Sequence, residues 1–176
     1  MNITAQEEYG LRCLLRVAMH GSGDPMRTQE VAAAEGLSLE YAAKLMRILK
    51  NGGFVASTRG SAGGYLLARP AGEISVWQVL EELGGPLYEE KFCDAHTGSQ
   101  MSCMHSTDCS IRALWRNMNG ILKTALSAIT LADLTRNEGA TGAFLVQSAA
   151  AAAAASRAAL VPHAHPTSQP ARGSAS

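Results

Sequence analysis

The sequence predicts a mainly α-helical fold with a small β wing: a winged helix-turn-helix domain followed by a long dimerisation helix. Three observations carry that expectation. A short helix, a glycine turn and an amphipathic helix starting at Ser38 follow one another directly. Two short apolar runs then flank a glycine-rich tip, and a long regular helix follows a loop that carries three cysteines. A helix-turn-helix with a hairpin behind it is an arrangement that reads DNA.

Met1 to His20 is expected to form the first helix. Thr4-Ala5-Gln6-Glu7 fits a capping box, in which threonine and glutamate each satisfy a free amide of the helix start. Tyr9, Leu11, Leu14, Leu15, Ala18 and Met19 supply a broad apolar side. Glu8 is spare from the box and can pair with Arg12 four residues on. Cys13, among apolar neighbours, reads as a small buried hydrophobe. After the turn Gly21-Ser22-Gly23-Asp24-Pro25, Thr28 opens a second, short helix with Val31 and Ala34 inward and Gly36 at its end.

The third helix carries the chemistry of recognition. Ser38 can cap it, and Ala42, Leu45, Ile48 and Leu49 fall on one face at helical spacing. Glu40, Lys44, Arg47 and Asn51 line the opposite face, with Lys50 beside them. Gly52-Gly53 ends the helix in the left-handed conformation that glycine adopts without steric cost. Phe54-Val55-Ala56 and Tyr65-Leu66-Leu67-Ala68 then make two strands of a hairpin around Ser57 to Gly64. Arg59, at a glycine-flanked tip, suits a narrow minor groove whose negative potential attracts guanidinium.

Ser75-Val76-Trp77-Gln78 is a second capping box, with Ile74 and Val79 as a hydrophobic staple across it. Trp77, Val79, Leu80 and Leu83 are expected to pack on the winged domain, and Gly84-Gly85-Pro86 stops the helix. The loop from Leu87 to Asp108 has no helical or strand period. Cys93, Cys103 and Cys109 are separated by nine and by five residues. Thiolates favour soft metals, so an iron–sulfur cluster and zinc are both candidates, as is a metal-free thiol switch. The short Cys-x-x-Cys clamp usual for zinc is absent. Cys109 is expected at the start of the next helix, where the helix dipole favours a thiolate. With three cysteines one ligand is missing, and Glu8, His96 and His105 are the candidates.

From Ser110, the residues Ile111, Trp115, Met118, Leu122, Ala125, Ile129 and Ala132 step alternately by four and three. That is a coiled-coil seam across about three heptads, long enough for a dimer interface, with Leu114 and Ile121 widening its apolar face. Beyond Asn137-Glu138-Gly139 come Ala143-Phe144-Leu145-Val146, seven alanines from Ala149 to Ala155 and a Pro/His/Ser-rich end. This tail is expected to be disordered.

Composition narrows the function. The chain has 15 basic and 15 acidic residues among 176, so it has no general affinity for polyanions. Between Leu37 and Ala68, however, Lys44, Arg47, Lys50 and Arg59 face a single acid, Glu40. No apolar run is long enough to span a membrane, so a soluble cytoplasmic protein is expected. No nucleophile–base pattern or nucleotide loop supports catalysis. An iron–sulfur electron or cluster carrier would account for the cysteines but not for Lys44 and Arg59.

These residues together resemble the Rrf-two family of bacterial winged-helix regulators, including its IscR and NsrR types. The resemblance runs from Met1 to about Arg136. It rests on MNITAQEEYGLRCL, on SLEYAAKLMRILKNGGFVASTRGSAGGYLLARP, on three cysteines after Gly-Gly-Pro, and on CSIRALW opening the long helix. It implies a homodimer on double-stranded operator DNA and a 2Fe-2S or 4Fe-4S cluster whose state sets DNA affinity. Cys93, Cys103 and Cys109 would hold the cluster. Glu8 matches the acidic ligand of NsrR-type members, whereas Arg112 stands where IscR-type members have a histidine. Thr28, Ser38, Glu40, Tyr41, Lys44, Arg47 and Arg59 would contact DNA. The expected organisation is a DNA-binding domain over 1–85, a cluster loop over 86–109, a dimerisation helix over 110–137 and a tail over 138–176.

Overall fold

A computed structural model describes residues 3–159 apart from positions 22, 59–62, 87, 90 and 100, with 151–159 as helix backbone only. The first helix, α1, spans Ala5–Met19 rather than starting at Met1. Its capping box forms as the residue types require: Glu7 N–H donates to Thr4 Oγ1 at 3.2 Å, and Thr4 N–H donates to Glu7 Oε2 at 2.8 Å. Helices α2 (Thr28–Glu35) and α3 (Leu39–Asn51) form the helix-turn-helix, joined through Gly36, whose φ of 66° is the left-handed conformation glycine permits. The core gathers Leu14, Val31, Leu45, Met46, Leu49, Ile74 and Val79, all fully buried.

The inward face of α2 differs from the sequence expectation. Val31 and Ala32 are buried together with Glu35, while Ala34 is exposed. The helix packs on both α1 and α3, which centres its buried sector between Val31 and Ala32 and turns Ala34 to solvent. The buried Glu35 accepts from Arg12 Nε at 2.8 Å and from Arg16 Nε at 2.7 Å. Arg12 thus donates its hydrogen bond to Glu35 of α2 rather than to Glu8, and the bond and charge of Glu35 raise the guanidinium pKa above its ordinary value. The two arginines lie one turn apart and clamp α1 to α2 through one carboxylate.

Helix α3 stops where Gly53 takes a φ of 73° and Phe54 N–H donates back to Leu49 O. The wing follows as β1 (Val55–Ser57) and β2 (Tyr65–Leu67), antiparallel, with Val55 opposite Leu67 and Ser57 opposite Tyr65. Met26 extends this sheet by one bridge, exchanging backbone bonds with Tyr65 at 3.0 and 2.8 Å. Gly64 lies against that bridge: a Cβ there would sit 2.6 Å from the Met26 carbonyl oxygen. Backbone cannot yield as a flexible side chain can. Gly64→Ala is therefore expected to lower stability by about 1–3 kcal/mol, read as a reduced urea midpoint with an unchanged slope.

A 3-10 turn at Ala71–Glu73 leads into α4 (Val76–Gly84). Its capping box is present, with Gln78 N–H donating to Ser75 Oγ at 3.3 Å, and Ile74 and Val79 are both fully buried beside it. Among its described residues the cysteine loop contains one short helix, α5 (Phe92–Ala95).

Helix α6 spans Ser110–Ser127, so the seven-residue seam does not run through one helix. Ile129 lies beyond its end, where its carbonyl accepts from Val76 N–H at 2.9 Å. Ala132 belongs to a separate short helix, α7 (Leu131–Leu134), which buries Leu131 in the winged core. The cause is a third capping box: Thr130 Oγ1 accepts from Asp133 N–H at 3.3 Å and restarts the chain in a new direction. Within α6, Ile111, Trp115 and Met118 are exposed, whereas Leu122 and Ala125 are half-buried.

The tail departs from the sequence expectation over 138–159. Helix α8 runs over Glu138–Ala159 and packs against α6 and α7. Phe144, half-buried, lies 4.8 Å under the Arg136 guanidinium, and alanine has the highest helix propensity of any residue. The tail from 160 onward lies outside the described residues. Among the described residues no helix is long and apolar enough to cross a membrane.

Candidate nucleic-acid interface and cysteine loop

The amphipathic pattern of α3 decides what it presents. Ala42, Leu45, Met46 and Leu49 are buried against α1, α2 and α4, which leaves Glu40, Ala43, Lys44, Arg47, Lys50 and Asn51 on the exposed side. Ser38 Oγ accepts from Tyr41 N–H at 3.2 Å and so serves as the cap. Tyr41 itself is half-buried, edge-on to Tyr9 with ring centroids 6.2 Å apart, and anchors α3 to α1. Glu40, Lys44, Arg47 and Lys50 have no hydrogen-bond or ion-pair partner among the described residues. Three cations held on a rigid helix with nothing internal to neutralise them form a surface suited to phosphates.

The wing and the start of α2 flank this face. Thr28, with Arg27, Gln29, Leu39 and Gly63, lines an open hollow of about 390 Å³ between the first turn of α2 and the wing. Thr28 is thus brought beside α3, at a helix N-terminus where backbone amides face outward. Arg59 lies outside the described residues.

The four cysteines divide into two kinds. Cys13 is completely buried, and burial pushes its thiol up to about 11, so it stays neutral and unreactive. Cys93, Cys103 and Cys109 are free and half-exposed. Cys109 is the N-cap of α6, its sulfur accepting from Arg112 N–H at 3.4 Å, as its position before the long helix predicts. Arg112 also reaches back to the Ser106 carbonyl at 3.1 Å and ties the loop to the helix. Cys93 Sγ lies 3.6 Å from Tyr88 Oη, and that hydrogen bond, together with burial, raises the tyrosine pKa.

The chemistry of three accessible thiols on one loop fits a thiophilic iron or zinc centre. The structure does not gather them: among the described residues no three His, Cys, Asp or Glu side chains converge on a metal position. Holding a cluster would require the loop to close. Glu8 is exposed at the rim of an apolar cavity of about 450 Å³ formed with Leu11, Trp77, Leu80 and Leu122. His96 is stacked on Phe92 at 4.0 Å with Nδ1 2.8 Å from the Phe92 carbonyl, and His105 is exposed.

The Glu35 clamp escaped sequence reasoning. The spacing of Arg12 and Arg16 puts two cations one turn apart on α1, but nothing in the sequence names the carboxylate that they share.

A helix-turn-helix with a free cationic stripe and a two-stranded wing defines a winged-helix DNA-binding protein. The chain belongs to the Rrf2 family, whose model, described as an iron-dependent transcriptional regulator, matches residues 3–137. It is 36% identical over 140 residues to Protein rrf2 of Nitratidesulfovibrio vulgaris, covering 78% of this chain and 89% of that protein. It is 31% identical over 138 residues to the transcriptional regulator IscR of Cronobacter sakazakii, covering 78% and 82%. Among solved structures it is similar to CymR, the global cysteine regulator of B. subtilis, with a TM-score of 0.60 at 27% identity over 77% of this chain and 96% of that one. It is likewise similar to IscR of T. potens, with a TM-score of 0.59 at 27% identity over 76% and 85%. The family description and the name of the Cronobacter sakazakii relative are those of transcriptional regulators, and this chain is a regulator of that family.

Proposed function

We propose that the protein is a homodimeric regulator whose affinity for operator DNA is set by an iron–sulfur cluster on the Cys93–Cys109 loop. The observation that carries the reading is the position of that loop, between α4 of the DNA-reading domain and the N-cap of α6. Any change that draws Cys93, Cys103 and Cys109 together pulls on both elements and shifts the population between forms of different DNA affinity. When bound, the cluster supplies a group that responds to redox change, nitric oxide, oxygen or iron supply. The three cysteines would hold it, with Glu8, from the same or the partner chain, as the favoured fourth ligand. Lys44, Arg47 and Arg59 would bind the duplex, with Thr28, Ser38, Glu40 and Tyr41 at or beside the DNA. The family description and the IscR relatives support this reading.

A thiol switch without metal is the second reading. It is favoured by the absence of a converged ligand set among the described residues and by the similarity to a cysteine regulator.

Anaerobic purification with iron and sulfide assay separates the two. The proposal expects visible absorption and near-stoichiometric iron and sulfide, lost in Cys93→Ala, Cys103→Ala and Cys109→Ala but kept in Cys13→Ala. Glu8→Ala should alter the spectrum while His105→Ala does not. Wild-type protein that carries no iron, yet changes DNA affinity on thiol oxidation, would establish the switch instead.

A further inference from the structure

We infer that Glu40 is a specificity-determining residue that selects a cytosine in each operator half-site. The inference rests on the DNA-binding reading of α3 and deepens it. In helix-turn-helix proteins the first turns of the second helix meet the base edges. In α3 those turns offer few groups able to read a base. The Ser38 hydroxyl is engaged as the cap, Tyr41 is packed on Tyr9, and Leu39 and Ala43 are apolar. Glu40 is the one exposed polar side chain of the first turn with no partner among the described residues, and Lys44 lies one turn further on.

An ionised carboxylate can only accept hydrogen bonds. The major-groove edge offers donors on cytosine N4 and adenine N6, but adenine places the N7 acceptor beside its donor. Guanine and thymine present acceptors to the groove, and thymine adds a methyl group. Cytosine is therefore the base that a glutamate fits best. Against guanine or thymine, Glu40 would bring an unpaired negative charge between two phosphate backbones, and against adenine its carboxylate would lie beside the N7 acceptor. It acts as a filter: the acid disfavours wrong sites more than it tightens binding to the right one. The neighbouring Lys44 can donate to an adjacent guanine, so the two side chains would together favour a C/G-containing step.

A simpler role for Glu40 is to complement the positive end of the helix dipole, and the test distinguishes it. Full-length protein is used to select from a random-sequence duplex library, in parallel with Glu40→Ala, Glu40→Gln and Lys44→Ala. Wild type is expected to yield a symmetric motif with one cytosine per half-site whose replacement costs about tenfold or more in affinity. Glu40→Ala should lose preference at that position alone, keeping the rest of the motif. Glu40→Gln should move the preference toward adenine, which glutamine pairs through N6 and N7. If both variants select the wild-type motif unchanged, Glu40 reads no base and the inference is overturned. If wild type selects no motif at all, the DNA-binding reading of α3 fails first, and the inference falls with it.

Discussion

Replacing Lys44 and Arg47 together with alanine should lower affinity for operator DNA by at least about tenfold while leaving the fold and oligomeric state unchanged. Both side chains are exposed and unpartnered among the described residues, so their removal breaks no internal hydrogen bond or ion pair there. They also lie on the side of α3 opposite Ala42, Leu45 and Leu49, so the core is untouched. The salt dependence identifies what the two cations bind. Each lost phosphate contact should reduce the slope of log affinity against log salt by about one unit, so the double variant should lose about four units over both half-sites. A weaker complex with an unchanged slope would mean that the two cations meet bases rather than phosphates. Unchanged affinity would remove α3 as the reading helix.

The second large effect concerns assembly. Met118→Lys combined with Ile121→Lys is expected to convert the protein to monomers. Helix α6 exposes Ile111, Leu114, Trp115, Met118 and Ile121, with Ile111 58% and Ile121 59% accessible. Five large apolar side chains on one helix form a patch of the sort that marks an interaction surface. Leu122 and Leu126, one to two turns further along the helix, line a cavity with Trp77 and Leu80 of α4, whereas Met118 and Ile121 are exposed, so lysines at 118 and 121 challenge the free part of the face rather than the winged core. In a symmetric dimer each new charge would be desolvated near its symmetry mate, at a cost that such an interface does not recover. Light scattering should report the monomer mass, and binding to a two-half-site operator should weaken in parallel. A dimer that survives the double substitution would place its interface elsewhere.

Much of the fold was legible because its signals are local. Thr4–Glu7, Ser38 and Ser75–Gln78 each act within three residues, and each forms the cap that its spacing predicts. Gly53 ends α3 for a reason that concerns glycine alone. The hairpin was readable from two apolar runs and a glycine-rich tip, although the bridge from Met26, far back in the chain, was not.

What escaped depends on tertiary geometry. The carboxylate of Glu35 meets arginines 19 and 23 residues distant, and no periodicity encodes that meeting. Ile129 and Ala132 continue the apolar step of α6 by coincidence, because residues that pack into the winged core are apolar too. The capping box at Thr130–Asp133 was the available sign that the helix had ended. The candidate DNA face could be drawn from spacing and charge, since a free polar stripe is a property of one helix. The cysteine loop could be named but not shaped, because thiol chemistry fixes the ligand type and leaves the closure of an irregular loop undetermined.

Control of DNA binding by the cysteine loop is tested most directly by one titration. Iron- and sulfide-loaded protein and the same preparation after anaerobic chelation are each titrated against a duplex selected from a random library, with fluorescence anisotropy as the readout. The two forms should differ in affinity by about fivefold or more, and Cys109→Ala should behave like the chelated form under both conditions. Equal affinity of the loaded and stripped wild-type protein would contradict control through the loop.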